Sequence, residues 1–370
     1  MTERERRKNP GTSVSATLRR YQDNPMLEIL KATAPGTPLR QAIDGIVELR
    51  RGGLLLIADE EKAKEVVQSG FELRTRMTPQ RVIELSKMDR AIVLDESLQT
   101  ILYANAYLVP DPEIPSGETG TRHLTAEKVA KQLNVPAIAI SATRGRVTIY
   151  YGPYKHVLRD ILMLTARANQ ALRILEQYRA TFDDLSRELT VLEFEGRVLP
   201  YHVANIIQTV VQMLTIQDEI ERIFIELGEE KELMELQLDW LMLDVLDELL
   251  LIIRDMQADT RPPEEILQRI QALSPEDLLR PEKIMEALGY EASEEVLEEP
   301  LSSRGYRVLS QIPRIPLSVI ERLVERFGTL QRILEASEEE LMEVKGIAEV
   351  RARAIRLGLQ RLKRSLMLWE

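Results

Sequence analysis

Arg51-Gly52-Gly53-Leu54-Leu55-Leu56-Ile57-Ala58-Asp59 decides the fold of this chain. Two glycines release an unbroken apolar run that is too short for a helix and bounded by turn residues, so it reads as a buried strand. Upstream, Gly36-Thr37-Pro38 punctuates before a helical pattern over Leu39–Leu49. Downstream come a charged helix (Glu60–Gln68), Gly70 and a short strand near Phe71–Leu73, then a helix opened by Thr78 as N-cap and Pro79 at the first helical position. Ala91–Leu94 and Thr100–Tyr103 read as strands joined by a polar turn, Thr121–Leu133 as a helix, and Ala137–Ile140 and Arg146–Tyr150 as further strands. Strands alternating with helices predict an α/β domain with a mixed sheet over residues 26–152.

From about Tyr154 the pattern changes to long segments of 3.6-residue period with few glycines, predicting an all-α spine over residues 153–290. Its Leu-rich stretch 236–253 contains Asp239, Asp244, Asp247 and Glu248, a burden too costly for a bilayer, so a buried amphipathic helix is expected and no membrane partner. Residues 291–303 are acidic with Pro and Ser and read as a linker; residues 304–370 read as an all-α module of short helices. The first 25 residues are polar and Arg-rich with no apolar core of a signal peptide, and read as a disordered arm. The absence of cysteine excludes disulfides, thiolate metal sites and cysteine nucleophiles, and fits a cytoplasmic location. Net charge is −11, yet Arg304–Glu370 holds thirteen Lys/Arg against nine Asp/Glu, a local +4 that leaves −15 for residues 1–303. That distribution permits a local nucleic-acid contact at the C-terminal end and disfavours general wrapping.

Three strings carry the candidate chemistry: Asp89-Arg90-Ala91 at a helix–strand junction, Ser116-Gly117-Glu118-Thr119-Gly120-Thr121-Arg122-His123-Leu124-Thr125 feeding a helix, and Ser141 at the end of a strand. The second presents backbone N–H groups at a helix start, a guanidinium and several hydroxyls, all suited to phosphate. Residue types alone leave two readings open, a phosphate loop and an ordinary polar loop before a helix; an Asp such as Asp89 is commonly a turn residue. The three histidines, His123, His156 and His202, are scattered, and no carboxylate set has metal-ligand spacing, which argues against a metal-dependent nuclease.

In combination, Ala34-Pro35-Gly36-Thr37-Pro38-Leu39-Arg40, Gly52-Gly53-Leu54, Lys87-Met88-Asp89, Ile101-Leu102-Tyr103-Ala104-Asn105, Glu118-Thr119-Gly120-Thr121-Arg122-His123 and Ala139-Ile140-Ser141 resemble, in order and spacing, the cyclase domain of DisA-type diadenylate cyclases. The resemblance extends through the spine to Arg304-Gly305-Tyr306-Arg307 and Gly346-Ile347. It implies condensation of two ATP into cyclic di-AMP with release of two pyrophosphates, assisted by Mg²⁺ or Mn²⁺, in a homo-oligomer (an octamer) whose cyclase domains face each other. By the same resemblance Asp89 is the acid near the ribose 3′-hydroxyl and the metal contact, and Arg122 and His123 sit on phosphate. Thr121 and Thr125 are hydroxyl donors, Leu108 and Ser141 line the adenine pocket, and Arg90 and Ala91 complete the ATP site.

The chain departs from that pattern twice. Arg90 stands where the family has glycine, and Leu124 where it has a second arginine. Two readings follow: an active cyclase coupled to binding of branched DNA, or an oligomeric DNA-binding scaffold with a weak or silent pocket. In the tail, Ile312-Pro313-Arg314-Ile315-Pro316 and Val344-Lys345-Gly346-Ile347-Ala348 resemble a pair of helix–hairpin–helix motifs, a module that binds DNA through phosphate contacts. DNA contacts are expected from Lys345, Gly346, Ile347, Ala348, Arg351, Arg353 and Arg356. Ala348 replaces the motif's last glycine, and a positive-φ penalty is expected there. The first hairpin, further from the pattern, is expected to support packing alone.

Overall fold

The computed structural model describes residues 25–291 and 298–367. The expected arm, Pro25 apart, and residues 292–297 of the expected linker lie outside the described residues. The chain divides into two compact units, residues up to Gln170 with Asp218–Glu235, and Ala171–Gln217 with Leu236–Glu370.

The first unit is built on a seven-stranded mixed sheet. Its helices α1 (Met26–Ala32), α2 (Pro38–Glu48), α3 (Glu60–Val66), α4 (Pro79–Leu85) and α5 (Thr121–Leu133) alternate with β1 (Gly53–Ile57), β2 (Val67–Arg76), β3 (Ala91–Leu94), β4 (Thr100–Leu108), β5 (Pro136–Ile140), β6 (Val147–Tyr151) and β7 (Tyr154–Val157). The spatial order is β2-β4-β3-β1-β5-β6-β7. Only β1 and β3 run parallel, Leu54 opposite Ala91; every other neighbouring pair is antiparallel. Strand β1 is buried along its whole length, because both faces are covered. Leu54 and Leu56 pack with Ala126, Val129 and Ala130 of α5, while Leu55 and Ile57 pack with Leu39, Ile43 and Ile46 of α2. Local signals start the helices. Thr37, Asp59 and Thr78 each accept a backbone N–H three residues on, satisfying a donor the helix leaves unpaired.

Two expectations about this sheet are corrected. Helix α3 stops at Val66, and Val67–Arg76 forms one ten-residue edge strand, longer than Phe71–Leu73. Its side chains are almost all exposed, so no hydrophobic alternation announces it; pairing with the nine-residue β4 holds it in place. The sheet also passes the expected boundary at residue 152. Gly152 takes a left-handed torsion (φ 52°) that turns the chain into β7, Tyr151 facing Tyr154.

The expected helical stretch is present. Helices α6 (Ile161–Glu195) and α7 (Pro200–Leu227) each contribute to both compact units. Residues 236–253 do not form one buried helix. Asp244 is left-handed (φ 60°) and separates α8 (Glu232–Met242) from α9 (Val245–Met256). Helix α9 buries Val245, Leu249, Ile252 and Ile253, whereas Leu236, Trp240 and Leu243 are exposed. The second unit continues with α10 (Pro263–Gln271), α11 (Pro275–Leu278) and α12 (Pro281–Ala287).

The tail comprises α13 (Tyr306–Ser310), α14 (Leu317–Phe327), α15 (Leu330–Glu335), α16 (Glu338–Met342) and α17 (Glu349–Met367) around one apolar core. The end of the expected linker is already structured: Leu301 bridges to Val198, and Ser303 donates to the Glu193 carboxylate at 2.9 Å. Arg307, fully buried, pairs with Glu193 and, at 3.1 Å, with Glu248. It also donates to Thr190 and to Ser186. Asp255 accepts the N–H groups of both Tyr306 and Arg307, so a buried carboxyl group caps α13.

Candidate functional site

A cavity of about 290 Å³ opens at the end of the sheet where β1 and β3 begin and β4 finishes. It is lined by Leu54, Asp89, Arg90, Ala91, Ala106, Tyr107, Leu108, Thr121, Arg122 and Thr125. One wall is apolar (Leu54, Ala91, Ala106, Leu108). The polar part of the lining is the N-terminal turn of α5, whose cap residue Gly120 offers no side-chain acceptor to the first N–H groups. Thr121, Arg122 and Thr125 share a stripe roughly 100° wide on that helix. Arg122 reaches across to Asp89, Nη2 to Oδ1 4.0 Å, and the Asp89 side chain is 96% exposed.

Arg122 is held by the shape of Gly52. A Cβ on Gly52 would lie 2.8 Å from the Arg122 Cζ and 3.1 Å from the Ile140 carbonyl, so only glycine leaves room for the guanidinium. Before the helix, the Glu118 carboxylate accepts the Tyr150 hydroxyl at 2.8 Å and pairs with Lys155. Lys155 holds the Glu118 carboxyl below its ordinary pKa, and burial beside that carboxylate drives the Tyr150 hydroxyl far above its own. Both sequence motifs that meet here were visible in the chain; Gly52, Lys155 and Tyr150 as supporting residues were not, because only folding brings β1, β6 and β7 beside α5.

Of the expected ATP-site residues, Asp89, Arg90, Ala91, Leu108, Thr121, Arg122 and Thr125 line the cavity, and His123 and Ser141 do not. His123 points off the Thr121–Arg122–Thr125 stripe and sets its ring edge-on to Tyr150, centroids 6.4 Å apart. Burial lowers its pKa, so the imidazole is neutral at pH 7. Ser141 lies in the turn between β5 and β6, its hydroxyl accepting the Arg144 N–H at 3.4 Å. Leu124 is likewise off the lining. Arg90 adopts φ 75°, the left-handed region that glycine occupies freely. Its guanidinium does not fill the cavity; it lies 5.1 Å over the Tyr107 ring and reaches Ser69 Oγ at 3.5 Å.

No group of three or more His, Cys, Asp or Glu among the described residues is arranged to hold a metal ion. The exposed Asp89 carboxylate suits a hard divalent cation of the kind that takes one protein carboxylate and completes its shell with phosphate and water.

In the tail, the two expected hairpins share one backbone form. Arg314 (φ 69°) and Gly346 (φ 93°) take the left-handed position at equivalent places, each followed by a largely buried isoleucine, Ile315 or Ile347. The first hairpin thus keeps the backbone form of the second despite its departure from the sequence pattern. Ala348 does not have a positive φ, so the expected penalty is absent: the left-handed position falls on Gly346, which adopts it freely, and Ala348 accepts the first helical N–H groups of α17. Of the expected DNA contacts, Lys345 is exposed and carries no ion pair among the described residues. Arg351 donates to the Gly346 carbonyl, and Arg353 and Arg356 are paired with Glu349 and Glu338. Ile347 packs into the core, and its backbone N–H donates to the Val344 carbonyl at 3.0 Å.

Fold and site together define a nucleotide-binding α/β module followed by helices and a tandem helix–hairpin–helix tail. Residues 40–154 match the family model described as DisA bacterial checkpoint controller nucleotide-binding, residues 158–297 the DisA bacterial checkpoint controller linker region, and residues 306–361 a SAM-like helix-hairpin-helix tandem. The DNA integrity scanning protein DisA of Carboxydothermus hydrogenoformans is 48% identical over 344 residues, covering 92% of this chain and 98% of that relative. That of Acetivibrio thermocellus is 44% identical over 353 residues, covering 95% and 98%. The chain belongs to the DisA family. No helix among the described residues is long and apolar enough to cross a membrane.

Proposed function

We propose that the first unit condenses two ATP molecules into cyclic di-AMP and two pyrophosphates, and that the tail binds branched DNA. The observation that carries this reading is the cavity in which an apolar wall, Asp89 and the Arg122-bearing N-terminus of α5 converge. The apolar wall accepts a base. Arg122 neutralises phosphate charge, Thr121 and Thr125 donate to and orient phosphate oxygens, and Asp89, 4.0 Å from the Arg122 guanidinium on the same lining, takes the ribose hydroxyl.

In each half-reaction a ribose 3′-oxygen forms a bond to the α-phosphorus of the other ATP, and the bond from that phosphorus to the bridging oxygen breaks, releasing pyrophosphate. The 3′-hydroxyl proton passes to the Asp89 carboxylate and then to solvent. Ring closure needs two such attacks, and hence two copies of this cavity face to face; the 96% exposure of the Asp89 side chain suits a group acting across such an interface. A divalent cation (Mg²⁺ or Mn²⁺) held by Asp89 and the phosphates would supply charge neutralisation. Phosphate placement here rests on Arg122, Thr121 and Thr125; His123 is assigned to holding the loop through Tyr150.

The alternative, a silent pocket on a DNA-binding scaffold, would be favoured by an Arg90 side chain filling the cavity. Arg90 instead lies against Tyr107, and Leu124 is off the cavity wall. The test is incubation of the full chain with ATP and Mg²⁺ or Mn²⁺, measuring cyclic dinucleotide and pyrophosphate. Product from the native chain and none from Asp89→Asn is expected. No product from the native chain, with product gained on Arg90→Gly and Leu124→Arg together, would establish the scaffold instead.

A further inference from the structure

The backbone at Arg90 is strained for any residue but glycine, and it sits at the cavity rather than in a remote turn. The torsion has a visible result. Strands β3 and β4 pair Ala91 with Ala106, which sets Arg90 opposite Tyr107 at the strand ends. There the guanidinium lies over the phenol ring at 5.1 Å, with Ser69 Oγ at 3.5 Å from Nη1. Both Arg90 and Tyr107 are solvent-exposed, and both belong to the cavity lining. Ala91, Ala106, Leu108 and the α5 residues Thr121, Arg122 and Thr125 line the same cavity. A planar cation backed by an aromatic ring at a cavity lining is the chemistry of a stacking platform for a heteroaromatic ring.

We propose that Arg90, presented on Tyr107, is a base-recognition residue of this nucleotide pocket, contributing affinity for the purine ring and not for the polyphosphate. This rests on the reading of the cavity as a nucleotide site. The charge on the phosphates is then left to Arg122 and the N-terminus of α5, and the arginine at position 90 is an added contact to the base.

The experiment measures dissociation constants of the native chain and of Arg90→Gly for AMP and for ATP, each with Mg²⁺, by calorimetry. Glycine is at ease at φ 75°, so the variant is expected to fold at least as well as the native chain, which a thermal melt checks. Loss of a stacked guanidinium weakens AMP and ATP by the same factor, about 5- to 30-fold. Arg90→Lys, which keeps the charge and loses the plane, falls between. A loss that is several times greater for ATP than for AMP would overturn the proposal in favour of a phosphate contact. Unchanged or tighter binding by Arg90→Gly would overturn it as well, the latter by showing that the side chain obstructs the site. Failure of the native chain to bind either nucleotide would overturn the nucleotide reading and this proposal with it.

Discussion

The guanidinium of Arg122 occupies the space that a side chain on Gly52 would need: a Cβ there would stand 2.8 Å from Cζ. Gly52 is not among the glycines with positive φ, so alanine meets no backbone penalty and its effect is steric. Gly52→Ala is therefore expected to displace Arg122 while the domain stays folded. Loss of one charge-assisted phosphate contact, about 1.5–3 kcal/mol, corresponds to ATP binding weaker by about ten- to a hundredfold. A double-mutant cycle checks the cause: in an Arg122→Ala background, Gly52→Ala should add little. Full additivity would show that Gly52 acts on something other than Arg122.

The loop before α5 is pinned from the far edge of the sheet, where Lys155 of β7 and Tyr150 of β6 both meet Glu118. Glu118→Gln keeps an acceptor for Tyr150 and removes the charge that binds Lys155. Faster amide exchange over residues 117–122 is expected, with a few-fold rise in KM for ATP and little change in melting temperature, since the Lys155 side chain is half-exposed and its ion pair is screened. Unaltered exchange in that loop would remove Glu118 from the positioning role.

How far the sequence discloses this site depends on where each residue is held. Leu54–Ile57 reads as a buried strand because its apolar run is continuous, and Thr78-Pro79 announces its helix through local capping; the structure keeps both. Strand β2 escapes notice because its exposed residues follow no period and β4 supplies the order. Strand β7 escapes because Gly152 looks like the end of a domain and is a hairpin turn. Within the site, Asp89 and Arg122 are legible as motif residues. That Gly52 shapes the seat of one of them, and that His123 faces Tyr150, depends on contacts between residues that are 70 and 27 positions apart in the chain. The buried Arg307 cluster is equally silent in sequence: Arg304-Gly305-Tyr306-Arg307 is legible as part of the resemblance, but its partners Glu193 and Asp255 are distant in the chain.

That cluster predicts a pH dependence. Burial, followed by the neighbouring Glu193 charge, pushes the Asp255 carboxyl up to about 7, and Arg307 and the two N–H groups it caps work against the rise. The folded protein then binds a proton that the unfolded chain, with an ordinary carboxyl near 3.8, releases. The stabilising contribution is present in full below about 3.8 and is lost as pH rises through about 7. From this group alone, the melting temperature of the second unit should rise as pH falls from 8 to 5. Asp255→Asn should flatten that slope, at the cost of one hydrogen bond to the start of α13. An unchanged slope in the variant would assign the dependence to other groups.

The tail offers the last test, because its two hairpins place different residues in the same backbone position. Gly346 holds φ 93°, and a Cβ there would also lie 3.1 Å from Arg322 Nη2. Gly346→Ala is thus expected to distort the second hairpin and weaken DNA binding, with the apolar core around Ile347 and Ile355 keeping the module folded. Lys345 is exposed beside it, and Lys345→Ala should weaken binding to all sequences alike while lowering the salt slope by about one. Arg351→Ala should act differently, since that side chain donates to the Gly346 carbonyl and so holds the hairpin's shape. Its loss should resemble Gly346→Ala and exceed the effect of one missing charge. Mobility shifts of a four-way junction over a salt series measure all three. Equal, purely charge-like losses for Lys345→Ala and Arg351→Ala, with Gly346→Ala silent, would mean that the tail attracts DNA by its basic surface and that the hairpin backbone does not meet phosphate.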